Sequence, residues 1–121
     1  MKFEAGTNIA MKIPEHRYAE TVHFYRDILL LEVEEKEINH PTVLQTCKVK
    51  FGPCTLWLDC VKEITETAIW LEIKTPDIDK ATDYLSTNET NTYDELEQIP
   101  ADMHWIKDPA GTVLLLNGKS N

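Results

Sequence analysis

A chain of 121 residues, 42% of them hydrophobic and 27% charged, has the make-up of one folded domain rather than of a disordered or fibrous segment. Its 12 Lys and Arg against 21 Asp and Glu leave a formal net charge of −9, which argues against a nucleic-acid backbone or an anionic membrane surface as partner. The opening "MKFEAGTNIAMKIP" lacks the layout of a signal peptide, and no apolar run approaches the roughly 18 residues of a membrane helix, so a cytoplasmic location is expected.

The first predicted strand is Asn8–Ile13, where Ile9, Met11 and Ile13 alternate with Asn8, Ala10 and Lys12, the two-residue period of a half-buried strand. Pro14 closes it. Tyr18, Val22, Tyr25 and Leu29 then recur at helical spacing, so an amphipathic helix is expected over about Tyr18–Ile28. "LEVEEKEI" is the next strand. "HPTVLQTCKVKFG" and "CTLWLDCV" are two more, joined by a turn at Gly52-Pro53. Cys47, Cys54 and Cys60 are odd in number and form no Cys-x-x-Cys pair. They read as reduced, structural thiols.

The pattern restarts at Ala68. "AIWLEIKTP" sets Ile69, Leu71 and Ile73 against Ala68, Trp70 and Glu72, and Pro76 ends it. "DIDKATDYL" follows as a helix, capped by Asp77 or Asp79. The polar stretch "STNETNTYDELEQIP" holds at most a short weak strand. "MHWIK" and "TVLLLN" close the chain as a hairpin around "DPAG", with Pro109 presetting φ and Gly111 free to take φ > 0.

The order is therefore βαβββ twice, at an offset of about sixty residues. Module one covers about residues 5–62 and module two about residues 66–118, within a single domain spanning 1–121. The expected fold is α+β, with each helix on one sheet face. Ile9, Met11 and Ile13 are expected to face the helix. On the other face are expected Asn8, Ala10, Lys12, Thr55, Trp57 and Asp59, and from module two Ala68, Trp70, Glu72, Val113, Leu115 and Asn117. Lys12 and Glu72 occupy matching positions of the repeats and are placed to pair. Trp57 and Trp70 either line a pocket or fill a core, since aromatic side chains dominate both settings.

The strand "NIAMKIP", the helix end "HFYRDILLLEV" and the final "KDPAGTVLLL" together resemble the vicinal oxygen chelate superfamily, which includes glyoxalases, bleomycin-resistance proteins and extradiol dioxygenases. The last two segments are similar to its "FYrdvLGfev" and "DPdGnxxEl" patterns. The resemblance implies two βαβββ modules forming an open, curled, mostly antiparallel sheet around a cavity. In the enzymes it also implies a divalent metal held by His, Gln or Glu on four strands. Carried over by motif, those positions fall on Asn8, Trp57, Ala68 and Leu115. Ala, Trp and Leu offer no usable lone pair, and a shift of one or two residues along the strands does not repair the set.

The expected function is thus that of a glyoxalase/bleomycin-resistance-like protein without metal or other cofactor. It would bind a small organic molecule in an aromatic-lined cavity, as a homodimer. Its candidate ligand-binding residues are Asn8, Lys12, Trp57, Asp59, Trp70, Glu72, Leu115, Asn117, His40 and His104. His16 and His23 read as surface residues; His40 and His104 are kept as candidate general bases. The alternative is a metal-dependent lyase or isomerase of glyoxalase type. No P-loop, dinucleotide fingerprint or serine elbow appears.

Overall fold

A computed structural model describes residues 1–107, Pro109 and residues 112–119. The predicted turn at Asp108–Gly111 lies, except for Pro109, outside the described residues. The chain divides into two compact units, Thr7–Ile69 and a second made of Met1–Gly6 with Trp70–Asn121. The fold is mixed α+β in both.

In the first unit, β2 (Asn8–Pro14) leads into α1 (Glu15–His23), followed by β3 (Val33–Lys36), β4 (Val43–Phe51) and β5 (Cys54–Val61). Their order across the sheet is β3-β4-β5-β2. The β2 and β5 strands run parallel, with Met11 opposite Leu58 and Lys12 opposite Asp59, while the β3–β4 and β4–β5 pairs are antiparallel. The helix begins three residues earlier than its apolar spacing indicates, because its first turn (Glu15, His16, Arg17) is polar and carries no periodic mark. It also ends sooner. After His23 the backbone widens into a π-helical stretch, Phe24–Ile28, in which Leu29 N–H reaches the Phe24 carbonyl.

The anticipated facing of the first strand holds. Ile13, Tyr18, Val22, Cys47, Val49, Leu56, Leu58 and Cys60 form a buried cluster, with Ile9 and Met11 packed against it. The Tyr18 hydroxyl donates to the Leu58 carbonyl at 2.8 Å. Burial, and then the hydrogen bond to Cys47, holds its acidity far below that of a free phenol. A bulge between Val43 and Gln45 adds Leu44 to the strand, which leaves Leu44 exposed.

In the second unit, β6 (Ala68–Lys74) is followed by α2 (Ile78–Thr87), β7 (Met103–Lys107) and β8 (Val113–Asn117), and the short β1 (Glu4–Ala5) pairs antiparallel with β6 at Ile73 and Lys74. The β6–β8 pair is parallel and the β7–β8 pair antiparallel. Strand β1, two residues long, is too short to show a period. Asp77 is the N-cap of α2, its carboxylate accepting from Lys80 N–H at 3.1 Å. Among the described residues the polar stretch 88–102 forms no strand. Tyr93 N–H donates to the Trp105 carbonyl at 2.7 Å and the Trp105 indole donates to the Glu97 carbonyl at 3.0 Å, so isolated bonds hold it where a ladder would. Among the described residues the second repeat accordingly has two strands after its helix.

Candidate functional site

Alternation along β2, β4 and β5 carries one set of side chains away from α1. Read from the register, these are Asn8, Ala10 and Lys12 on β2, Thr55, Trp57 and Asp59 on β5, and Thr46, Lys48 and Lys50 on β4. Lys12 is only 4% exposed. Its ammonium meets Asp59 Oδ2 at 2.7 Å, and the Thr46 hydroxyl donates to Asp59 Oδ1 at 2.6 Å. Taking an ammonium and a carboxylate out of water costs several kcal/mol per ion unless the geometry and the remaining hydrogen bonds are good. Here each carboxylate oxygen has its own donor. The Thr67 hydroxyl, 2.9 Å from the Lys12 carbonyl, fixes the backbone behind the lysine. One step toward the head of the strands, the Trp57 indole N–H donates to Asn8 Oδ1 at 2.9 Å. The structure thus brings Asn8 to Trp57 and Lys12 to Asp59.

In the second unit, Glu72, Leu115 and Trp105 are successive neighbours across β6, β8 and β7. The Asn117 amide donates to Glu72 Oε2 at 3.3 Å, and both residues are buried. Trp70 meets Trp105 edge to face, with ring centroids 4.9 Å apart. The register also settles the facing of His104: it pairs with Leu116, so it lies on the face opposite Leu115 and Trp105. There its Nδ1 is 2.7 Å from Asp94 Oδ2, while Asp94 Oδ1 accepts the Trp105 N–H. His40 sits in the loop before β4, its Nδ1 accepting from Thr42 N–H at 3.2 Å.

Hollows open on both sides of the first unit's sheet. One, of about 520 Å³, opens at the Gly52-Pro53 end of the sheet, with Glu34, Lys48, Lys50, Cys54 and Thr55 in its wall. Another, of about 640 Å³, lies on the α1 side, against Tyr18, Arg26, Glu35, Ile38 and Leu44. Trp57 lines neither. Among the described residues no salt bridge engages Lys48 or Lys50. Thr46, Lys48 and Lys50 escaped the sequence reading although the alternation of β4 marks them: they interleave with the buried Cys47 and Val49. Trp105 and Asp94 could not have been found without the β7–β8 register.

The residues at the expected metal positions do not suit a divalent ion. The oxygen of Asn8 already accepts a hydrogen bond, Trp57 is its donor, and Ala68 and Leu115 have no ligating atom. Both oxygens of Asp59 face donors. Among the described residues, no group of three or more His, Cys, Asp or Glu is arranged to hold a metal.

No family model and no curated protein matches the chain. Solved structures do. An uncharacterised protein from Bacillus halodurans superposes with a TM-score of 0.69 at 10% identity, covering 100% of this chain and 97% of the other. A methylmalonyl-CoA epimerase from Mycobacterium tuberculosis gives 0.64 at 13% identity, over 90% and 83%. A glyoxalase/bleomycin resistance protein/dioxygenase superfamily member from Vibrio splendidus gives 0.59 at 10% identity, over 93% and 97%. The chain shares the fold of these structures, that is, a glyoxalase/bleomycin-resistance-like fold. Among its described residues, no helix is long and apolar enough to cross a membrane.

Proposed function

We propose that this protein binds a small organic molecule without the help of a metal ion, on the face of the first unit that carries Trp57, Lys48, Lys50 and Thr55. The observation that supports it most is the internal use of donors: the side chains that could approach an ion are already bonded to each other, Asn8 to Trp57 and Lys12 to Asp59. What remains is an indole face for a flat or apolar body, with two ammonium groups and a hydroxyl beside a hollow for a polar end. The epimerase neighbour is named for a thioester of coenzyme A, a small organic ligand with anionic groups. A cytoplasmic homodimer is part of the same reading. The exposed apolar run Phe24, Ile28, Leu29 and Leu30, the last of them 79% exposed, supports a partner copy.

The alternative, a metal-dependent lyase or isomerase of glyoxalase type, would need donors such as His40, His104 and Glu72. Against it stands the facing of His104, on the other side of its sheet from the row holding Glu72.

The test is a thermal-shift screen of organic anions and coenzyme A esters, followed through tryptophan fluorescence, on wild type and Trp57→Ala. The expected result is a hit that quenches fluorescence in wild type and is lost in Trp57→Ala, with a stability change well below that of a core aromatic. A loss of roughly 3–5 kcal/mol with no ligand in either protein would make Trp57 a filler of the interior and end this reading.

A further inference from the structure

We infer that Lys12 is the built-in cation of this fold: its ammonium does, between β2 and β5, the charge-balancing and strand-linking that the resemblance assigns to a divalent ion. The inference shares the metal-free part of the proposed function and is independent of any ligand. Lys12 and Asp59 are direct partners in the parallel β2–β5 pair, the two strands of the first module on which the resemblance places ion-holding positions. Their contact at 2.7 Å joins β2 to β5, and the Thr46 hydroxyl, at 2.6 Å from the other Asp59 oxygen, extends the link to β4. Three neighbouring strands are thereby tied through one carboxylate.

A divalent ion on oxygen ligands asks for about six or more of them, whereas one ammonium has three N–H groups to place. An exposed lysine–aspartate pair would contribute little. This one has side chains only 5% and 12% exposed, so removing either partner strands a charge in the interior. A covalently carried cation also needs no loading, and no chelator can withdraw it.

The experiment is thermal unfolding of wild type, Lys12→Met, Asp59→Asn and the double variant, each in EDTA and in stoichiometric Mn²⁺ or Zn²⁺, with the exposed Lys62→Met as control. Wild-type Tm is expected to ignore both chelator and metal. Each single change at the pair should lower Tm by about 10 °C, and the double variant should lose clearly less than their sum. Additive losses, a Lys12→Met protein as stable as the Lys62→Met control, or a wild-type Tm that rises with metal and falls in EDTA would overturn the inference. Should Lys12→Met not fold alone, folding of the double variant supports it and failure of the double variant overturns it. A ligand screen without hits would remove the proposed function and leave this result standing.

Discussion

Leu58→Ala is expected to lower the unfolding free energy by about 3–5 kcal/mol, the upper part of the range for such truncations. Leu58 is 0% exposed and lies on β5 between Met11 of β2 and Cys47 of β4. The cost of a cavity depends on how far the surroundings can close over it. Here they cannot move far, because hydrogen-bonded strands flank the site on both sides. Tyr18 above it is anchored through its hydroxyl to the carbonyl of Leu58 itself. Urea unfolding measures the effect as a shift of midpoint at constant slope. A loss below roughly 1 kcal/mol would mean that the cluster repacks, and that the helix-side core is not where the register puts it.

Gly6→Ala should lower the unfolding free energy by roughly 3 kcal/mol, from overpacking and the displacement of a buried polar group together. The backbone N–H of Gly6 donates to the Glu72 carbonyl at 2.8 Å. That close approach leaves a Cβ no space: it would overlap Cγ, Cδ and Oε1 of the Glu72 side chain. Glu72 is buried and bonded to Asn117, so its carboxylate cannot swing out without leaving Asn117 without that acceptor. Gly52 is the informative contrast. It has φ +62 but nothing within 4 Å of a Cβ, so Gly52→Ala carries only backbone strain, about 1 kcal/mol. The steric origin is checked by repeating Gly6→Ala in a Glu72→Ala background. There the penalty should largely disappear; an unchanged penalty would place the strain in the backbone.

Much of the architecture could be read from side-chain alternation. Ile9, Met11 and Ile13 against Asn8, Ala10 and Lys12 gave both the strand and its facing, because a buried face repeats every two residues. What alternation cannot report is what lies opposite. That Lys12 meets Asp59, and Asn8 meets Trp57, follows from the parallel register of β2 and β5, which is set by the packing of the whole unit. The same limit hid the facing of His104, decided by its pairing with Leu116. Local backbone devices were equally silent. The π-helical stretch after His23, the left-handed Leu30 at φ 59 and the bulge at Leu44 leave no periodic trace in an otherwise regular apolar pattern. The likeness to the superfamily marked which positions to question. The chemistry found there came from side chains bonding one another.

Native mass spectrometry of the protein, purified without added metal or small molecules, tests the metal-free reading most directly. The expected result is a dimer with no divalent ion retained, carrying, where anything co-purifies, an organic adduct. One tightly held divalent ion per chain, lost together with the folded charge distribution on chelation, would contradict it.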